Sequence, residues 1–175
     1  EYSVSDKGET IAVDLKSSYR KNNSSINGMT LGAFTGYFRE RNSTKNVSHP
    51  YNAYKAHVVL GIIYSTARGV DEQKTYTVEQ LNEIASVAKD FQFFVQEKWK
   101  IAIDRPGSGN TKNIGSVTKI SDLIEGNGPF STLGENFFDD YWMHYLTNDM
   151  ARNAELPAPY YSNIEQYKTF KHIQE

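Results

Sequence analysis

The stretch ETIAVDLKSSY, residues 9–19, restricts the fold more than any other part of the sequence. Its β-branched, alternating residues predict a β-strand over 10–16. Side chains two positions apart lie on the same face of a strand, so Asp14 and Lys16 share one face. The apolar residues of the other face are Ile11, Val13 and Leu15. Two interpretations stay open: a solvated face of an edge strand, or an acid and a base directed together into a catalytic cleft.

Length and composition indicate one ordinary folded domain. The 175 residues are 38% hydrophobic and 23% charged, enough to bury a core and too apolar for disorder. No apolar run approaches the length of a membrane span and no signal peptide is visible, so we expect no membrane contact. The absence of cysteine excludes disulfides and thiolate zinc sites and suits a reducing cytoplasm. Because the sequence starts at Glu1 without a methionine, we expect an N-terminal segment to be missing.

The formal net charge is only −2, but the charges are distributed unevenly. Residues 15–70 contain eight Lys or Arg and one acid, a net of +7, whereas residues 71–175 carry −6 and residues 1–14 carry −3. A basic segment that begins on the strand of Asp14 and Lys16 is suited to hold a phosphate backbone. Such asymmetry also arises by chance, so charge alone does not identify a nucleic-acid ligand.

The remaining patterns predict a mixed sheet early in the chain and helices late, an α/β or α+β fold in one domain over 1–175. Apolar spacing predicts a buried helix from Asn52 to Ala67. Thr77 and Gln80 have capping-box spacing at the start of a second helix over 77–89. Residues 91–103 predict a hairpin or one long bent strand. The other predicted helices run over 121–126, from Glu135 to about Met150, and from Ser162 to about Ile173.

The glycine-rich loop GSGNTKNIGS, residues 107–116, has three possible interpretations. As a phosphate cradle it lacks the Lys-Ser/Thr ending of a P-loop, and it is not a dinucleotide fingerprint. As a base-reading loop it offers Asn110, which can bind adenine with two hydrogen bonds, and Thr111, which can contact a thymine methyl. An ordinary surface hairpin fits the composition as well.

An acid followed two residues later by lysine, with another acid upstream, is the pattern of PD-(D/E)xK nucleases. Two carboxylates from neighbouring strands bind a hard divalent cation, and the lysine stabilises the charge that develops on the phosphate. Asp14 and Lys16 fit two of the three positions, and Glu1 and Asp6 are candidates for the upstream acid. The bare pattern is common by chance.

The histidines and aromatic residues favour structural roles. His49, His57, His144 and His172 have no pair with metal-ligand spacing on a helix. We interpret His57 as a core histidine on the predicted helix over 52–67. Tyr141, Trp142 and Tyr145 indicate a helix face that packs into the core, with a DNA-facing Tyr145 as the second interpretation.

Six stretches occur together in the order, and nearly the spacing, of one family. They are IAVDLKSSY, TLGAFTGYFR, NAYKAHVVLGIIY, KTYTVEQLNEI, FFVQEKWKIA and GSGNTKNIGS. In these the chain resembles the EcoRV-type family of type II restriction endonucleases over almost its whole length. The resemblance implies a restriction-endonuclease-like core, a mixed sheet flanked by helices. The family's N-terminal part, which supplies much of the dimerisation element, is absent from the sequence.

The resemblance also implies the catalytic residues. Asp14 and Lys16 match the second acid and the lysine of the family's motif, and EYSV places Glu1 at the first acid. Glu1 and Asp14 would then hold Mg²⁺. Glutamate stands where the family has aspartate, and the loop before the strand is about three residues shorter, so activity is expected to be sensitive to this change. Asp6 is the fallback first acid.

The DNA contacts implied by the resemblance fall into two groups. The recognition loop, which in the family reads the outer base pairs of GATATC, matches Gly107, Ser108, Gly109, Asn110 and Thr111. The backbone-contacting positions match Ser17, Ser18, Tyr19, Thr35, Lys45, Asn113, Tyr145 and Arg152. Serines replace two threonines at 17 and 18, Gly36 replaces a serine, and Thr147 replaces an arginine. Each lost phosphate contact is expected to lower affinity and its salt dependence.

The implied activity is Mg²⁺-dependent cleavage of double-stranded DNA by a symmetric homodimer, leaving blunt ends with 5′-phosphates. A palindromic site mirrors a two-fold axis, so each subunit would read one half-site. A prokaryotic cytoplasmic enzyme with a partner methyltransferase is the matching setting. The alternatives are a catalytically impaired DNA-binding homologue of the same fold and, less consistent with the recognition loop, a repair or recombination nuclease on the same core.

Overall fold

The computed structural model describes residues 2–6, 8–45, 47–67, 69, 71, 73–107 and 112–171. The strands in these ranges are β1 (Tyr2–Asp6), β2 (Glu9–Asn22), β3 (Ser25–Ile26), β4 (Thr30–Ala33), β5 (Ala56–Thr66), β6 (Ala88–Glu97), β7 (Ala102–Pro106) and β8 (Asn113–Ser116). The helices are α1 (Lys98–Ile101), α2 (Ile120–Glu125), α3 (Glu135–His144), α4 (Asn148–Asn153) and α5 (Ile164–Phe170). Short 3₁₀ helices span Gly36–Phe38, Tyr51–Ala53 and Val78–Glu83.

The described strands form two sheets, and the helices follow late in the chain, as expected for an α+β fold. The larger sheet has the order β1-β2-β5-β6, with β3 paired to β2. It is mixed, because β2 and β5 are parallel while the other pairs are antiparallel. The smaller antiparallel sheet has the order β4-β8-β7. Since β1 and β5 flank β2, the edge-strand interpretation of Asp14 and Lys16 is wrong.

The helix predicted from Asn52 to Ala67 is wrong, because these residues form a 3₁₀ turn followed by strand β5. Burial along β5 alternates from His57 to Ile63 with the two-residue period of a strand. The stretch is rich in β-branched residues, which pack well on a pleated surface. Its apolar residues occupy both faces of a central strand, and so they also satisfy the spacing of a buried helix.

Three other predicted elements differ in extent from the observed ones. Residues 77–89 form the 3₁₀ helix Val78–Glu83 and then the start of β6, although the capping box of Thr77 and Gln80 is present. Residues 91–103 are neither a hairpin nor one bent strand, because the single helical turn α1 separates β6 from β7. The helix expected from Glu135 to about Met150 is divided between α3 and α4. Helices α2 and α5 lie where the sequence predicted them.

The core lies between the inner face of the larger sheet, the smaller sheet and the late helices. It includes Val59 and Ile63 of β5 and, as expected, Tyr141 and Trp142 of α3. The opposite face of the larger sheet is open: Leu15 is 47% exposed and Phe93 is 63% exposed. No helix within the described ranges is long and apolar enough to cross a membrane.

Candidate active site

Asp14 and Lys16 lie on the face of β2 that is turned toward the core side of the sheet. Ala12 and Ser18, which share this face by the two-residue repeat, are buried. Lys16 Nζ lies 3.0 Å from Asp14 Oδ2, and both side chains are about one-quarter to one-third exposed, at 26% and 32%. The predicted pairing of the two side chains on one face is therefore confirmed. Partial burial strengthens the interaction between these charges relative to a surface pair.

The pair separates two cavities. A cavity of about 110 Å³ is lined by Asp14 together with Tyr37, His57 and Lys98. A larger, open cleft of about 440 Å³ is lined by Lys16, and it extends to Gly107 at the start of the glycine-rich loop over 107–116. The carboxylate and the ammonium group thus face separate spaces while remaining in contact with each other, which is an arrangement that could hold a cation on one side and a phosphate on the other.

His57 forms part of the wall beside Asp14. Its ring stacks on Tyr51 with centroids 3.9 Å apart, and Nε2 donates to the Tyr51 carbonyl at 3.3 Å. Burial, followed by the charge of Lys98, lowers the pKa of His57 to about 4. The imidazole is therefore neutral at neutral pH and adds no charge to the cavity. The interpretation of His57 as a core histidine is confirmed, although it sits on a strand and not on a helix.

The register of β1 bears on Asp6, one of the two candidates for the upstream acid. Tyr2, the first described residue, pairs with Val13 next to Asp14, whereas Asp6 pairs with Glu9. Five residues of strand separate Glu9 from Asp14, a distance of about 17 Å, so Asp6 is too far away to share a metal with Asp14. Glu1 lies outside the described residues. The part of the chain that is described holds no cluster of three or more His, Asp or Glu side chains suited to a metal.

The predicted recognition loop is flanked by residues that form backbone hydrogen bonds. Gly107 N–H donates to the Asn113 carbonyl at 2.9 Å, and Phe34 N–H donates to the Lys112 carbonyl at 2.9 Å. Strands β7 and β8 pair antiparallel, and β8 also pairs with β4. The predicted base-reading residues Ser108, Gly109, Asn110 and Thr111 lie outside the described residues, so their role stays a prediction.

Five of the predicted backbone-contacting residues lie in or beside clefts that flank the β7–β8 pair. Ser17 lines the cleft of Lys16. A second cleft, of about 470 Å³, is lined by Tyr145 and Arg152. Arg152 is exposed and pairs with Asp149, while most of the Tyr145 side chain is buried against Phe34 and Trp142. Asn113 is part of the loop base, and Ser18 is buried on the face of Asp14 and Lys16.

The other predicted contacts lie apart from these clefts. Tyr19 is on the opposite face of β2, where its ring is 6.5 Å from that of Tyr64. Thr35 precedes the 3₁₀ helix Gly36–Phe38, and its side chain makes no capping hydrogen bond there. Lys45 is exposed, and its backbone N–H donates to Ser43 Oγ. Thr147, at the position of the family's arginine, caps α4 by accepting a hydrogen bond from Met150 N–H.

Two basic residues of these cavities were missed by the sequence reasoning. Lys98 lines the cavity of Asp14, and Arg105 lines the cleft of Lys16. Lys98 gave no signal, because it lies in a stretch whose helical turn was not predicted. Arg105 stands two residues before the recognition loop, and its place on the strand leading into the loop could have identified it.

A mixed sheet flanked by helices, with an acid and a lysine on its inner face beside a polar cleft, defines a protein with the restriction-endonuclease-like fold. The chain belongs to the EcoRV restriction endonuclease family: the family described as Restriction endonuclease EcoRV matches residues 2–172. It is also 37% identical over 171 residues to the Type II restriction enzyme EcoRV of Escherichia coli. That match covers 97% of this chain and 66% of the relative, so the chain spans just under two thirds of the relative's length.

Proposed function

We propose that the protein is a type II restriction endonuclease that hydrolyses phosphodiester bonds of double-stranded DNA at a palindromic site. One observation carries this proposal. Asp14 and Lys16 are in contact on one strand face, and the cleft lined by Lys16 continues to the base of the hairpin at Gly107. Catalysis and recognition would therefore act on the same stretch of duplex. The Escherichia coli relative, named as a type II restriction enzyme, supports the reaction class.

Mg²⁺ is the cofactor that the donor chemistry suits. Asp14 offers a partly exposed carboxylate, and oxygen atoms are the ligands that hard divalent cations prefer. We propose Glu1 as the second carboxylate, because Tyr2 pairs with Val13 directly beside Asp14. When bound, Mg²⁺ would polarise the phosphodiester and favour ionisation of the attacking water.

Lys16 would stabilise the negative charge that develops on the phosphate. Its ammonium group is a compact point charge that donates up to three hydrogen bonds. Contact with Asp14 fixes the side chain at the edge of the cleft without removing it from the DNA side. A donor held in place before the reaction costs little reorganisation when charge develops, which is the condition for strong electrostatic stabilisation.

The target that we propose is GATATC, cut to blunt ends with 5′-phosphates by a homodimer. The unbroken match of residues 107–111 to the family's recognition loop supports this target. The hairpin formed by β7 and β8 is a suitable support for a loop that enters the major groove. A palindrome calls for two copies related by a two-fold axis, and a bacterial relative is consistent with action on DNA in the cytoplasm.

Cleavage of a plasmid with a single GATATC site in Mg²⁺ tests the proposal. The wild-type protein should give one linear product, and Asp14→Ala should lower the rate by at least about 10³-fold, because a metal ligand is lost. Glu9→Ala is the matched control, since Glu9 is an exposed carboxylate on the same strand that pairs with Lys55 away from the cleft.

Circular dichroism and thermal unfolding would establish that both variants fold. Cleavage of a plasmid without GATATC at the same rate would refute the proposed target. No cleavage by the folded wild-type protein, combined with a preference for GATATC in binding, would instead support the catalytically impaired DNA-binding homologue.

A further inference from the structure

Arg105 differs from the other described arginines in having no partner within the described residues. Arg20 and Arg39 donate to backbone carbonyls, Arg41 pairs with Asp139, and Arg152 pairs with Asp149. Arg105 is exposed and makes no hydrogen bond or ion pair with the described part of the chain. An arginine carries five donors and stays charged, so one without a protein partner is available for an anion.

The alternation of β7 directs Arg105 into the cleft of Lys16. Ile103, Arg105 and Gly107 all line this cleft, as residues two apart on one strand face should. Asp104 lies on the other face, where its carboxylate accepts a hydrogen bond from Ile164 N–H and its carbonyl accepts one from the Tyr141 hydroxyl. These contacts hold Asp104 toward the helices, so the side chain of Arg105 is directed toward the cleft on the opposite face of β7.

Two glycines, Gly107 and Gly115, lie close to each other in the lining of the cleft. A Cβ at Gly115 would come within 3.0 Å of Gly107 Cα and 2.9 Å of Ile103 Cδ1. A Cβ at Gly107 would come within 3.1 Å of Thr30 Cγ2. A side chain at either position would be tightly packed against these neighbours and would take up part of the space beside Arg105.

We propose that Arg105 binds a backbone phosphate of the DNA, between the phosphate that is cleaved and the bases read by the loop. The inference rests on the proposed function, because it takes the cleft of Lys16 as the place of the duplex. Arg105 and Lys16 would then hold phosphates along one strand, and a guanidinium group can bind a phosphate with two parallel hydrogen bonds.

A phosphate fits the position of Arg105 better than a base edge does. Arg105 lies on strand β7, before the proposed recognition loop, and it shares its cleft with the lysine proposed to act on a phosphodiester. Phosphate contacts fix the register of the duplex, whereas base contacts come from elements that enter the groove. Arg105 would therefore position the duplex relative to the recognition loop and to Asp14 and Lys16.

The salt dependence of DNA binding distinguishes these roles. The affinities for a GATATC duplex and for a scrambled duplex would be measured in Ca²⁺ between about 50 and 200 mM NaCl. Over this range each phosphate contact makes the affinity fall steeply with salt. The variants are Arg105→Gln, which removes the charge, and Arg105→Lys, which keeps it. Lys89→Gln is the control, because Lys89 is exposed on β6 at the far edge of the larger sheet.

Arg105→Gln should weaken binding of both duplexes by roughly three- to tenfold and lower the salt slope by about 0.9 for each Arg105 in the complex. Arg105→Lys should retain the slope, and Lys89→Gln should change neither quantity. An unchanged slope in Arg105→Gln would overturn the inference, as would a loss confined to the GATATC duplex, which indicates base reading. Failure of the wild-type protein to bind either duplex would refute the proposed function itself.

Discussion

At the scale of single residues, His57 makes folding stability depend on pH. Its pKa is lowered from 6.5 to about 4 by burial and by the charge of Lys98. The unfolded chain takes up a proton on this histidine near pH 6.5, while the folded chain stays neutral until about pH 4. Stability is therefore full above pH 6.5 and falls as the pH drops from 6.5 to 4, by about 3 kcal/mol for this residue.

Chemical unfolding at pH 7, 5.5 and 4 measures this contribution. His57→Gln removes the titrating group, so its stability should decline less than that of the wild type over this range, by about 3 kcal/mol. The two proteins are compared by how much the free energy of unfolding changes with pH and not by its value at one pH, because loss of the stack on Tyr51 also destabilises the variant at pH 7. His49→Gln, a change at an exposed histidine, should follow the wild type. Parallel declines in wild type and His57→Gln would show that His57 is not the group responsible.

At the scale of elements, the end of helix α3 depends on a hydroxyl from outside the helix. The carbonyl of Tyr141 is one of the last four of α3, which have no partner within a helix. It accepts a hydrogen bond of 2.5 Å from the hydroxyl of Tyr161, a residue only 2% exposed. Removing that donor leaves a buried carbonyl without a partner, and this loss costs more than the hydrogen bond itself contributes.

We expect Tyr161→Phe to lower the free energy of unfolding by about 1–3 kcal/mol. Urea denaturation measures the change directly. Tyr160→Phe is the matched control. Tyr160 is the neighbour of Tyr161 in sequence and is 53% exposed, so this change removes the same hydroxyl oxygen from an exposed side chain. Equal stability of the two variants would mean that the Tyr141 carbonyl is satisfied in another way.

The sequence predicted local features of the elements better than their tertiary roles. The capping box of Thr77 and Gln80 and the shared face of Asp14 and Lys16 depend only on residues close in sequence, and both are present. The sequence of strand β5 predicts a helix because apolar residues occupy both of its faces, so no alternation of polar and apolar residues marks it as a strand. Its identity follows from pairing with β2 and β6, which no local pattern encodes.

The candidate site was also predictable only in part, because it depends on contacts between residues that are far apart in sequence. The register of β1 against β2 removes Asp6 as a partner of Asp14, and sequence spacing alone could not show this. The cavities beside Asp14 and Lys16 are formed by residues from several elements, such as His57 of β5, Lys98 of α1 and Arg105 of β7. These residues lie far apart in sequence, so the resemblance to a family could identify the motif without identifying its surroundings.

At the scale of the whole molecule, the basic segment over 15–70 offers less charge to a ligand than its net of +7 suggests. The structure describes seven of its eight basic residues. Five of these have side chains that contact the protein itself, namely Lys16, Arg20, Arg39, Arg41 and Lys55, although Lys16 also lines the cleft. Arg39 and Arg41 lie against the rings of Phe34 and Phe38, respectively, and so help to hold the core. Counting charges along the sequence therefore overestimates the surface available to a phosphate backbone.

The carboxylate of Asp14 and the proposed DNA binding in the cleft of Lys16 should depend on each other through a divalent cation. Asp14 lies beside Lys16 at the edge of the cleft, so its negative charge would oppose an approaching phosphate unless a cation is bound. We expect the GATATC duplex to bind at least about tenfold more tightly in Ca²⁺ than in EDTA, which corresponds to about 1.4 kcal/mol. Asp14→Asn should lose most of this difference, while Glu9→Gln should keep it. Equilibrium titration of a labelled duplex measures both affinities. Binding that prefers GATATC but does not depend on Ca²⁺ would contradict this expectation. The loop would then still read DNA, but Asp14 would have no role in binding a metal.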